Sequence, residues 1–155
     1  FRNNIKSGTE LGKLAKSYID KGELVPDDVI IGMIDSFLDK MGKVNGVIFD
    51  GFPRTIAQAE ALKVMLAERG QEGTAMIGLD VPEDELMDRL IKRGQLSGRA
   101  DDNEETIKKR LIVYNDQTSP LKEWYKNEGK HCYIQGSGEL DRIFADIVAA
   151  IDSRK

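Results

Sequence analysis

A chain of 155 residues, 40% hydrophobic and 32% charged, has the composition of one folded domain with a real core. Its net charge of −4 excludes a broad basic surface for DNA or RNA, although arginines can still gather in one cleft. A single cysteine, Cys132, rules out an internal disulfide; a single histidine, His131, leaves no zinc set of ordinary spacing; and no apolar run approaches the roughly 20 residues of a membrane span. With no charged then apolar leader at the start, a cytosolic compartment is expected.

The opening stretch, FRNNIKSGTELGKLAKSYIDKGELVPDD, lacks a methionine and a capping residue and reads as the middle of an element, so an upstream segment is expected. Leu11, Leu14, Ala15 and Tyr18 mark a first helix closed near Gly22. Pro26, with Asp27 and Asp28 behind it, opens a second helix, and Val29, Met33, Phe37 and Met41 are its expected buried face. GVIFDG has the length and β-branching of a fully buried strand, and Ala57, Ala61, Leu62, Met65 and Leu66 make the following helix. AMIGLDVP repeats the strand and PEDELMDRLIKRG the helix, acids first and bases last. The irregular stretch RGQLSGRADDN, 93–103, is expected to be a loop, after which Asp102 or Asn103 caps a helix and Glu105 bonds back to the cap. KHCYIQG supplies a third strand before a helix from about Glu139 to Asp152. Strands alternating with helices predict an α/β domain with a parallel sheet. His131, Cys132, Met33 and Met65 are read as packing residues.

In an open parallel sheet, a strand ending in aspartate places a carboxylate at the ligand edge, where Asp50 can hold magnesium directly or through water. Gly51 frees the turn, Pro53 stiffens it, and Arg54 projects a planar fork suited to phosphate. The plainer alternative is an ordinary strand-end turn. Arg89 and Arg93 share a helix face, Arg99 lies in the loop and Arg110 on the next helix, so four guanidiniums can converge. The alternative for each is a solvated charge paired with Glu85, Asp88, Asp101 or Glu105.

DGFPRT with Gln58 behind it, preceded by SGTELGKLAKSYIDKGELVPDD and followed by SGRADDNEETIKKRL, resembles adenylate kinase in order and spacing from residue 1 to the end. The resemblance implies one P-loop kinase domain over 1–155, a parallel sheet flanked by helices, with an AMP-binding lid at 1–25 and a short ATP lid at 93–103 that carries no structural zinc. It implies transfer of the terminal phosphoryl of ATP to AMP, giving two ADP, with Mg2+ as cofactor. By matched motif, Arg2 binds the AMP phosphate, and the backbone of Glu23, Leu24 and Val25 contacts adenosine. Gly51, Phe52, Pro53 and Arg54 form the turn that grips AMP, and Gln58 reads adenine, accepting from the exocyclic amine and donating to a ring nitrogen. Arg93 contacts ATP, Arg89, Arg99 and Arg110 belong to the phosphate cleft, and Gly138 lies where the family's backbone meets the ATP adenine. The expected partners are AMP, ATP and ADP, with neither nucleic acid nor membrane, and a monomer.

The family's glycine-rich phosphate loop, its lysine and its first two strands have no counterpart in these 155 residues, which alone are expected to be poorly folded or inactive. Two alternatives stay open: a UMP/CMP kinase, which Gln58 disfavours, and an inactive nucleotide-binding remnant.

Overall fold

The structure, a computed structural model, describes residues 5–42, 44–97 and 101–154. Helix α1 (Glu10–Ile19) begins where Thr9 accepts a hydrogen bond from the Gly12 amide at 3.0 Å. Its chain reverses at Gly22, φ +76°, and α2 (Asp27–Met41) follows Pro26 with two acids in its first turn. Helix α3 (Ile56–Glu68) is capped by Thr55, whose hydroxyl accepts from the Gln58 amide at 3.1 Å. Strand β1 (Met76–Asp80) leads into α4 (Glu83–Ser97), and Asn103 caps α5 (Glu104–Val113). The chain widens into a π-helical turn, Tyr114–Thr118, then forms α6 (Leu121–Asn127), β2 (His131–Gln135) and α7 (Leu140–Asp152).

The two strands pair in parallel, Met76 opposite His131 and Asp80 opposite Gln135, with α6 and α7 against β2. This is the expected α/β arrangement. Among the described residues the sheet has two strands, not three. Residues 47–50 keep a strand's alternation, Val47 and Phe49 turned into the core and Ile48 88% exposed. They form no ladder, because a strand exists only with a neighbour about 4.8 Å away, and none of the described residues lies there.

The core has two apolar clusters. One joins Leu38 of α2 to Leu62, Met65 and Leu66 of α3; the other joins Ala15, Val25 and Ile30 under α1. Phe52 packs against both. The inward face of α2 is centred on Ile30, Ile34 and Leu38; of the expected stripe, Val29 and Met41 pack against the two clusters, whereas Phe37 is turned out, 58% exposed. The helix is apolar on several sides, so its rotation is set by polar anchors: Asp27 bonds to Thr55 and Gln58, while Asp35 and Asp39 face Arg69 at the end of α3. Two further expectations are corrected. Helix α4 continues to Ser97, whose hydroxyl donates to the Arg93 carbonyl at 2.7 Å, so the irregular stretch begins later than residue 93. Glu105 pairs with Lys109 one turn along instead of bonding back to the cap, because with Asn103 as cap it sits one position too early.

Among the described residues, no helix is long and apolar enough to cross a membrane.

Candidate functional site

The turn 51–55 and the start of α3 make the first half of the site. Gly51, at φ +70°, lets the chain fold back so that Arg54 Nε donates to the Gly51 carbonyl at 2.8 Å. That positive φ is what favours glycine here; a Cβ would stand 2.9 Å from Arg54 Nη2, the end of a flexible side chain that can move aside. The Phe52–Pro53 peptide is cis. Thr118 of the π turn donates to the Arg54 carbonyl at 2.8 Å, tying this turn to the chain after α5.

Gln58 is fully buried, neither an exposed helix residue nor a side chain open to solvent. Its Oε1 accepts from the Arg54 backbone N–H at 2.7 Å, and its Nε2 donates to Asp27 Oδ1 at 2.6 Å. The other Asp27 oxygen accepts from the Thr55 hydroxyl at 2.9 Å. Of the adenosine-contacting stretch, Glu23 is exposed, Leu24 half-buried and Val25 buried against Ala15 and Ile30.

The second half is built on α4 and α5. Arg93 grips Asp102 with both Nε and Nη2, at 2.6 and 2.7 Å, and Arg110 Nη1 reaches the same carboxylate at 2.9 Å. Arg110 also lies 3.4 Å from Asp101. The Asp102 side chain has no exposed surface, whereas Arg93 and Arg110 remain 39% and 30% exposed. One buried carboxylate thus orients two guanidiniums whose remaining N–H groups point elsewhere. Arg89 stands apart from that pair: it bonds Glu85 and donates to the Gly136 carbonyl at 3.2 Å, while Ser137 donates to Glu85 at 2.6 Å. Arg142 holds the same loop through the Gln135 and Ser137 carbonyls, placing Gly138, at φ +99°, beyond the end of β2.

The halves meet through α5. A Cβ at Gly22 would lie 3.1 Å from the Thr106 carbonyl and 3.2 Å from Arg110 Cγ, so the turn after α1 abuts the helix that carries Arg110. Arg93 and Arg110 are therefore brought together as expected, Arg89 reaches the β2 loop instead, and Arg54 belongs to the turn before α3. Arg2 and Arg99 lie outside the described residues. The pairing of Arg89 with Glu85 and of Arg110 with Asp101 matches the plainer alternative for those side chains, but Asp102 was read only as a possible cap. Of the two residues that hold Gln58, Asp27 reads as a helix-start residue and Thr55 only as the end of the DGFPRT motif. Their signal in the chain, an acid after proline and a threonine before an apolar run, is the same one that a cap gives.

The Arg93 guanidinium, then Arg110, holds the Asp102 carboxyl below the usual carboxylate range against the opposing effect of burial. A depressed folded pKa contributes stability that is fully present above the unfolded value of about 3.9 and is lost as pH falls through the folded value. Thermal melts between pH 7 and 3 should therefore show Asp102→Asn losing less stability on acidification than the parent chain. Equal acid dependence would remove the pair from the stability balance. At the other end of the sheet, burial lowers the His131 pKa, its Nε2 is buried with no partner among the described residues, and its ring packs on Tyr133 at 4.6 Å. These contacts agree with a packing role.

The family model for adenylate kinase matches residues 1–130. An adenylate kinase of Phocaeicola vulgatus is 70% identical over 98% of this chain and 80% of its own length. One from Bacteroides thetaiotaomicron is 66% identical over 98% of this chain and 80% of its own. A more distant adenylate kinase, from Porphyromonas gingivalis, is 44% identical over 98% of this chain and 78% of its own.

Proposed function

Because the chain belongs to the adenylate kinase family, we infer that it acts in the reversible transfer of the terminal phosphoryl group of ATP to AMP, giving two ADP. The single observation that carries the reading onto this chain's own side chains is the convergence of Arg93 and Arg110 on one buried carboxylate beside the lid turn. Phosphoryl transfer asks little covalent work of a protein. It needs two nucleotides held in line and cations fixed where charge spreads over the transferred oxygens.

In this reading Arg54 and Arg2 hold the AMP phosphate, and Gly51, Phe52 and Pro53 shape the turn that receives it. Glu23, Leu24 and Val25 present backbone to the adenosine, and Gln58 reads its base. Arg89, Arg93, Arg99 and Arg110 surround the transferring group, Arg93 touching ATP, while the Gly138 backbone lies against the ATP adenine. Residues 1–25 act as the lid over AMP and the stretch 93–103 as the lid over ATP. Closing lids keep water from taking the phosphoryl in place of AMP.

Among the described residues, no three His, Cys, Asp or Glu side chains group to hold a metal. A lone exposed carboxylate such as Asp50 nevertheless suits magnesium, which keeps several waters and leans on substrate phosphates instead of a protein cage. Asp50 would hold it through water, and the bound ion would neutralise charge on the phosphate oxygens. A cytoplasmic monomer working without nucleic acid or membrane completes the reading, supported by the lone cysteine and the net charge of −4.

A coupled assay of the intact protein with ATP and magnesium tests it. ADP formation is expected with AMP as acceptor and at least tenfold less with UMP or CMP. Preference for a pyrimidine acceptor would replace AMP as the substrate, and no transfer to any acceptor would leave a nucleotide-binding protein.

A further inference from the structure

Gln58 has four hydrogen-bonding positions, two N–H groups and two lone pairs on Oε1. Two are taken inside the protein: one N–H by Asp27 Oδ1 at 2.6 Å and one lone pair by the Arg54 backbone N–H at 2.7 Å. Neither partner tolerates a reversed carboxamide. Turning it over would set Oε1 against the Asp27 carboxylate and the Nε2 hydrogens against the Arg54 N–H, replacing two hydrogen bonds with two like-facing contacts in a place with no access to water. Asp27 is itself held by the Thr55 hydroxyl at 2.9 Å, and Thr55 accepts from the Gln58 backbone N–H at 3.1 Å.

We propose that Asp27 is a specificity-determining positioning residue, which locks the Gln58 carboxamide in the one orientation that matches adenine and rejects a 6-oxopurine. The proposal rests on Gln58 reading the acceptor base. The valences left over are one acceptor lone pair and one N–H donor. Adenine offers the complement, an exocyclic N6–H donor and an N1 acceptor. Hypoxanthine and guanine offer the reverse, an O6 acceptor and an N1–H donor, and a free glutamine would accommodate them by flipping. Asp27 removes that freedom. Discrimination then comes from a donor facing a donor and an acceptor facing an acceptor, which costs more than the loss of a contact. Because Gln58 is fully covered, the packing over that edge has to move aside for a base to reach it.

The test compares kcat/KM for AMP and for IMP, each with ATP, in the intact enzyme and in its Asp27→Asn, Asp27→Ala, Asp27→Glu and Gln58→Ala variants. A bidentate base contact sets the scale of the effect, so Asp27→Asn should narrow the AMP preference about tenfold by letting either carboxamide orientation find a partner. Asp27→Ala should narrow it as well, and Asp27→Glu, which keeps a carboxylate, should hold it near the parent value. The ratio is insensitive to a general loss of folded enzyme, which lowers both acceptors together. If Gln58→Ala narrows the preference while Asp27→Asn and Asp27→Ala leave it intact, the positioning role is overturned and the base-reading role of Gln58 stands. If none of the variants changes the ratio, Gln58 does not read the base and the proposal falls with that reading.

Discussion

Gly94→Ala is expected to lower turnover about 10²-fold while the protein remains folded, the scale set by an ångström-sized misplacement of catalytic groups. Gly94 lies inside α4, one residue after Arg93, and a Cβ there would stand 2.4 Å from the Asp102 carbonyl oxygen and 2.9 Å from Asp102 Cβ. Those are backbone and near-backbone atoms, so no rotation of a flexible side chain relieves the clash. The segment bearing Asp102 has to lift away from α4, taking with it the carboxylate that Arg93 grips with two N–H groups. Alanine favours a helix by about 1 kcal/mol over glycine, which partly offsets an overpacking cost of about 1–3 kcal/mol, so stability should change little compared with rate. Turnover at saturating ATP and AMP, measured beside a thermal melt, checks this. Parent-like turnover would show that Asp102 can shift without disturbing the arginines.

Asp102→Ala should have the larger effect, a fall in turnover of about 10³-fold, at the upper end of what removing a preorganised charge-stabilising group costs. Without the carboxylate, Arg93 loses its grip and Arg110 keeps only its 3.4 Å contact with Asp101, so repulsion turns both away from the positions that Asp102 gives them. Stability should fall by about 2–4 kcal/mol, less than for a wholly buried pair because both arginines keep part of their surface in water. A double-mutant cycle separates orientation from simple loss of structure. On an Arg93→Ala background, Asp102→Ala should cost distinctly less than it does alone, since one of its two dependants is already gone. Strict additivity of the two changes would argue that Asp102 acts on the fold and not through Arg93.

Much of the architecture was legible because caps and periodicity are local. Asn103 announces its helix within four residues and the run of acids after Pro82 announces α4, whereas the Thr9 cap of α1 sits in a stretch that reads as uncapped. The segment 47–50 shows where that logic stops. Its composition says strand, but pairing is a property of neighbours, and its own residues carry no information about whether a neighbour is present. The rotation of α2 follows only in part from its apolar pattern for a related reason: Phe37 is as apolar as Ile30 and Ile34, and only Arg69 and Thr55, about thirty residues away, turn it outward while Val29 stays on the core. The site was legible as a set of residue types, arginines around a glycine-rich stretch and a DGFPRT turn. It was not legible as a set of partnerships. Asp27 and Asp102 each stand where an acid suits a helix start, so a local reading accounts for them fully and gives no reason to look across the fold for the glutamine and the arginines that they hold.

Phe52 shares its ring between both apolar clusters, although it belongs to a turn with glycine and proline on either side. Turns of that composition ordinarily open to solvent on their own, well below the free energy of global unfolding. This one cannot. Withdrawing Phe52 leaves a gap in two places at once, and the Arg54 amide is closed off by a buried glutamine. In hydrogen exchange the Arg54 amide would report the separation of α2 from α3, so the part of the chain that resembles a loop in sequence would behave kinetically as part of the core.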